Sequence, residues 1–311
     1  MSDRRLPRSR AFVGTVLGIL ITAWLVIVMF TRAWIWKMLN KRSTELNPHR
    51  TIAATWERQL NGLYDSMLGT KLEVECNILP LEPGKPVLIV LNHPPIPTYT
   101  KMLRGIFDNI IPDPASFKTG EWSVFVVMKG LTAGNPLAPA LEMADVGLVV
   151  DRGDADKRKA SITTVEQDIG RLANKQVVII LFADESRFTV DKRDKSRVWM
   201  QERYPDRVKD VNNVLTPRVS GLQAIRRAIP DIRVLDGTVA STRRCDTLAQ
   251  VEPLIGARIM MDIRDIELPE SDEEVRLVLF DRWAWKDTYI GEALADQSER
   301  YFPMPAPVLI E

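Results

Sequence analysis

Short apolar runs punctuate the middle of the chain: "KPVLIVLNH", "SVFVVMKG", "DVGLVVDRG" and "QVVIILFADES". Each is rich in β-branched residues, and the stretches between them are long enough to hold a helix, which is the rhythm of buried strands joined by helical crossovers. Residues 156–174 place Ile162, Val165, Ile169 and Leu172 at the spacing of one helical face. That spacing predicts a crossover helix between two parallel strands. "IRVLDGTVAS" and "RLVLFDRWAW" read as further strands, while the tail "YFPMPAPVLIE" is proline-rich and reads as irregular. The expected fold class is α/β, a mixed and largely parallel sheet covered by helices.

The N-terminal pattern is different. From Ala11 to Phe30 the chain carries no charge, and at about 1.5 Å per residue a helix over that run crosses a hydrocarbon core of roughly 30 Å. The run is longer than the apolar region of a signal peptide and no small-residue cleavage site follows it, so a transmembrane helix is the expectation. Arg4, Arg5, Arg8 and Arg10 precede it, and Arg32, Lys37, Lys41 and Arg42 follow it, leaving orientation open. Trp34 and Trp36, set among basic residues, fit the headgroup level. The chain therefore divides into an anchor and interfacial segment (1–43), a helical connector (44–84) and an α/β domain with a C-terminal extension (85–311).

Composition narrows the partners. The chain has 311 residues, 45% of them hydrophobic, enough for one large core, and a formal net charge of +1. That balance supplies no global field for nucleic acid, so any anion recognition is local. Cys76, Cys245, His49 and His93 are too few and too scattered for a disulfide framework or a metal centre, and no metal is expected.

Chemistry is then sought at the strand ends, where ligands of α/β sheets gather. "LIVLNHPPIPT" sends an apolar strand into Asn92 and His93, followed by prolines that forbid its regular continuation. "GLVVDRGD" and "ILFADESRF" repeat that design, ending on Arg152 and Arg187 with acidic neighbours. A guanidinium grips phosphate with a bidentate fork, so two such arginines beside one base point to a phosphorylated substrate; a salt bridge to a neighbouring acid is the plain alternative for each.

Taken in order, "NHPPIPT", "GLVVDRG", "LFADESRFT" and "VLTPRVSGL" resemble the four sequence blocks of the glycerolphosphate acyltransferase family, over roughly residues 85 to 235. "NVLTPRVSGLQAI" and "VLFDRWAWKD" look most like the branch containing the lysophosphatidic acid and lysocardiolipin acyltransferases. The resemblance implies a role for each block. His93 matches the general base that activates the hydroxyl of a lysolipid, a task suited to a neutral imidazole and commonly worth roughly 10²–10⁴-fold. Arg152 matches the arginine of the second block, near the phosphate. Phe182, Ala183, Asp184, Glu185, Ser186 and Arg187 align with Phe-Pro-Glu-Gly-Thr-Arg, the block that delivers an acidic residue and an arginine to a glycerol phosphate. Pro217 matches the proline that shapes the loop beside the acyl donor.

The departures matter too. Thr98 stands where the family has the aspartate that orients the base, and it has no charge with which to stabilise an imidazolium, although it can accept a hydrogen bond. Glu185 replaces a glycine, removing backbone freedom from the third block. Three readings follow: a divergent active enzyme, a carboxylate supplied from elsewhere such as Asp184 or Glu185, or a catalytically silent lipid-binding homologue. The expected activity is acyl transfer from acyl-CoA or an acyl carrier protein to lysophosphatidic acid, giving phosphatidic acid, with another lysophospholipid as the rival acceptor. No cofactor is expected beyond that co-substrate. The expected partners are the two substrates and the bilayer, and the expected location is the inner membrane with the catalytic domain facing the cytoplasm.

Overall fold

A computed structural model of the chain describes residues 8–40, 52–94, 96–111, 122–129, 147–150, 155–184, 186–205, 211–244 and 256–296. The apolar runs are strands: β2 (Val87–Leu91), β3 (Ser123–Lys129), β4 (Gly147–Val150), β5 (Val177–Phe182) and β6 (Arg233–Ser241). With β1 (Lys71–Asn77) and β7 (Arg258–Asp265) they form a seven-stranded sheet in the order β1-β7-β6-β2-β5-β3-β4. All neighbours are parallel except β6 and β7, so the sheet is mixed and largely parallel as expected.

The alternation of side chains along the central strands divides the interior into two cores. Leu88 and Val90 face one side with Ile179, Leu181 and Val234; Val87, Ile89 and Leu91 face the other with Ile180, Phe182 and Leu235. Each such side chain, fully buried, contributes roughly 1.5–3 kcal/mol. The second core is covered by α3 (Ile96–Asn109) through Met102, Leu103, Ile106 and Phe107. The first is covered by α4 (Ala155–Gly170), α6 (Ser220–Ala228) and α7 (Asp272–Ala295). The crossover helix is present as α4, with Val165 and Ile169 buried and Ile162 packed against them, while Leu172 is buried in the turn that follows Gly170. Between them α5 (Val190–Arg203) starts at Thr189, whose hydroxyl accepts a hydrogen bond from the Lys192 N–H.

Two sequence expectations change. "RLVLFDRWAW" is not a strand but the centre of α7, whose buried Val275, Leu279, Trp283 and Ile290 recur at helical spacing. Its start is marked by Ser271, which caps the Glu274 N–H above an acidic first turn of Asp272, Glu273 and Glu274. Residues 71–77, read as part of a helical connector, form β1 at the sheet edge, paired with β7 from Lys71↔Arg258 to Asn77↔Arg264.

The N-terminal run folds as α1 (Arg8–Leu39), followed by α2 (Ile52–Leu68). Among the described residues no helix is long and apolar enough to cross a membrane. Several side chains of α1 lie outside that description, so the spanning expectation rests on the sequence alone. The α1 side chains that are described expose a row of large apolar residues, including Leu20, Trp24, Ile27, Trp34 and Leu39.

Candidate active site

Strands β2, β5 and β6 end side by side. Leu91 pairs with Phe182 on one side and with Gly237 on the other, so the residues that follow emerge at one edge of the sheet. The β2–β6 ladder stops at Leu91, and the side chain of Asn92 takes it over. Its amide donates to the Val239 carbonyl at 2.9 Å and accepts from the Val239 N–H at 2.8 Å. That leaves the main chain free to turn at His93.

On the other flank Asp184 holds the turn. Both of its carboxylate oxygens accept from the His93 backbone N–H, at 2.9 and 3.0 Å. Asp184 is buried, and such charge-assisted bonds to a main-chain donor are roughly twice as strong as neutral ones. The segment is further braced by Ala183, whose N–H donates to Leu91 O and whose carbonyl accepts from Arg218 N. Asp184, aligned with the substrate-facing acid of the third block, thus bonds the main chain of His93.

The imidazole sits 4.6 Å from the Phe182 ring, centroid to centroid, and its Nδ1 lies 3.0 Å from the Pro94 carbonyl oxygen. A carbonyl only accepts, so a hydrogen bond there puts the proton on Nδ1 and leaves the Nε2 lone pair for a substrate. Burial pushes the His93 pKa down to about 4, against the opposing pull of the Pro94 bond, and Arg187 and Lys192 push it the same way. The ring is therefore neutral at pH 7. Thr98, expected to orient it, is fully buried in the first turn of α3.

A pocket of about 60 Å³ opens beside the imidazole, lined by Asn92, His93, Arg187, Phe188, Arg243 and Arg244 among others. Of the expected site residues it brings His93 and Arg187 together. The Ser186 N–H donates to the Asp184 carbonyl at 2.7 Å. Pro217 lies in a separate apolar cavity with Met200, Leu215, Phe280 and Trp283. Arg152 and Glu185 lie outside the described residues. Among the described residues no group of His, Cys, Asp and Glu has an arrangement that holds a metal ion.

Sequence reasoning missed Arg243 and Arg244, which follow β6 without any motif, and Lys286 of α7. The Lys286 ammonium is fully buried and donates to the carbonyls of Gly237 at 2.5 Å and Val90 at 3.3 Å, while pairing with Asp236 at 2.8 Å. It ties β2 to β6 from behind the site. Burial lowers its pKa, opposed by Asp236, whose own carboxyl is held ionised by Lys286 and Arg282 against the pull of burial.

Comparison with solved structures gives the same architecture. The fold is shared with a known acyltransferase. The chain superimposes on the crystal structure of the 1-acyl-sn-glycerophosphate (LPA) acyltransferase PlsC from Thermotoga maritima with a TM-score of 0.51 and 12% identity, covering 94% of this chain and 99% of that one. No family model matches the sequence and no curated relative aligns with it.

Proposed function

We propose that the chain is a membrane-attached acyltransferase that moves an acyl group from a thioester donor to the free hydroxyl of lysophosphatidic acid, giving phosphatidic acid. The observation that carries this reading is the neutral, Nδ1-anchored His93 opening onto a pocket that also holds Arg187. The shared fold with PlsC supports it, as does the order of the four sequence blocks.

In the proposed reaction Nε2 of His93 takes the proton of the acceptor hydroxyl as its oxygen attacks the thioester carbonyl carbon. The tetrahedral intermediate collapses with cleavage of the C–S bond, and the imidazolium returns its proton to the leaving thiolate. No acyl-enzyme is required because the donor is already activated. Arg187, with Arg152, binds the phosphate, and Pro217 shapes the donor side. Acyl-CoA and an acyl carrier protein both satisfy this chemistry, and no cofactor or metal enters it. The Pro94 carbonyl orients the ring but carries no charge with which to support the imidazolium, in contrast to the carboxylate of better-known dyads.

Attachment to the inner membrane, with the catalytic domain facing the cytoplasm, is proposed through α1, whose exposed apolar side chains form a surface that a bilayer would cover. The test is acyl transfer from labelled acyl-CoA, and from acyl carrier protein, to lysophosphatidic acid in detergent, beside His93→Ala. Product that disappears with the variant supports the reading. The rival, a catalytically silent lipid-binding homologue, is favoured by the uncharged partner of the ring, and lipid binding without turnover on any lysophospholipid would establish it.

A further inference from the structure

Arg243 and Arg244 come from a segment that carries no block of the family resemblance, yet they line the same pocket as His93 and Arg187. Three guanidinium groups on one small cavity repel one another unless an anion sits between them. Arg244 is fixed in place. Its Nη2 donates to Asn213 Oδ1 at 2.7 Å, and its guanidinium carbon stands 4.5 Å from the centre of the Phe188 ring.

Asn213 is itself held by α7. The Asp287 carboxylate accepts the backbone N–H groups of Asn212 at 2.8 Å and Val214 at 3.1 Å, as well as that of Asn213, whose side-chain amide donates to the Asp287 carbonyl at 3.1 Å. Gly291, one turn further along α7, leaves the space this requires: a Cβ there would stand 2.9 Å from Asn213 Nδ2. Arg243 anchors its main chain by donating its N–H to Ser241 Oγ at 3.3 Å. Among the described residues no carboxylate stands at ion-pair distance from Arg187 or Arg243. Arg244, held by Asn213 and Phe188, is the preorganised member of the three.

We propose that Arg243 and Arg244 complete, with Arg187, an acceptor subsite that selects a doubly ionised phosphomonoester over a phosphodiester lysolipid. The inference rests on the acyltransferase reading and names its acceptor class. A phosphomonoester carries about −1.5 to −2 at pH 7 and offers three strong acceptor oxygens, whereas a diester carries about −1 and offers fewer. A cavity of about 60 Å³ holds a few water-sized groups, at roughly 10–15 Å³ for each. That is the scale of a phosphate group. The acceptor's phosphate, and not the donor's diphosphate, is assigned here because the hydroxyl that His93 must deprotonate sits one carbon away from the phosphate-bearing carbon of the same glycerol.

The test compares full-length wild type with Arg243→Gln, Arg244→Gln and Arg244→Lys, using lysophosphatidic acid and lysophosphatidylcholine as acceptors and acyl-CoA as donor. The expected result is a rise of about tenfold or more in KM for lysophosphatidic acid in both Gln variants, with kcat held within a few-fold. KM for acyl-CoA and for the diester stays level, and Arg244→Lys falls between, since it restores charge without the fork. An unchanged KM for lysophosphatidic acid overturns the proposal. A rise in KM for acyl-CoA alone also overturns it and moves the arginines to the donor. If wild type acylates neither acceptor, the acyltransferase reading fails separately, and phosphorus NMR titration with glycerol 3-phosphate still decides the anion site: binding lost in Arg244→Gln supports it, and equal binding removes it.

Discussion

Protonating His93 is the most direct probe of the site, because burial of the ring sets the sign of the effect. The folded imidazole has its pKa pushed down to about 4 by burial, from an ordinary value of 6.5. Between those two pH values the unfolded chain carries a proton that the folded ring refuses. Stability therefore falls as pH falls through that window and is level above it. At about 1.36 kcal/mol per pH unit the gap is worth about 3 kcal/mol, a large share of the stability of a marginally stable domain. His93→Gln, which does not titrate, removes this term. Urea midpoints for wild type and variant, followed in detergent from pH 7.5 to pH 4, should converge in slope above pH 7 and separate below pH 6 as the wild type loses stability faster. Carbon-13 NMR offers a second readout, since the chain has only two histidines and His49→Gln leaves one imidazole to titrate. Parallel stability curves, or an His93 resonance that titrates near 6.5, would refute the burial of the ring.

Three further outcomes follow from contacts around that ring. Asp184→Ala leaves the His93 N–H without its carboxylate and should cost about 1–3 kcal/mol along with most of the turnover; Asp184→Asn, which keeps one acceptor, should retain more of both, and equal losses in the two variants would exclude the backbone clamp. Lys286→Met removes the ammonium from its buried pair with Asp236 and should lower stability by about 3–5 kcal/mol in urea; a variant as stable as wild type would show that Arg282 alone satisfies Asp236. Thr98→Asp introduces a carboxylate at a fully buried position and should reduce both stability and activity, whereas a tenfold gain in kcat would mean that the ring turns from Pro94 to donate its N–H to the restored acid.

How far the sequence discloses this arrangement depends on how local each signal is. β2 and β5 are legible because buried parallel strands read as unbroken apolar runs, and α4 because its face repeats at helical spacing. β1 was open to the same reading, since Leu72, Val74 and Cys76 alternate with charged residues, but a strand that pairs with residues almost two hundred positions away has no neighbour in sequence to announce it. α7 was misread from a dense apolar centre although the Ser-Asp-Glu-Glu cap stood before it. In the site, His93 and Arg187 were legible because each ends a strand. The clamp by Asp184 was not, because an acidic residue beside an arginine looks the same whether it bonds a ligand or a main-chain N–H. Arg243, Arg244, Asn213 and Lys286 reach the pocket or its back wall only through the packing of β6 and α7; no motif marks Arg243 or Arg244, and the family-like segments that hold Asn213 and Lys286 give neither residue a role.

The bridge from Asn92 to Val239 decides which residue can stand before the histidine. A primary amide presents a donor and an acceptor with the same separation as a peptide group, so it substitutes for one missing rung of main chain. Aspartate would lack the donor and glutamine would overshoot by a methylene, so the asparagine is as constrained as the residue it precedes. Any redesign of this strand end therefore has to treat positions 92 and 93 as one unit: the first imitates backbone so that the second can stop behaving like it.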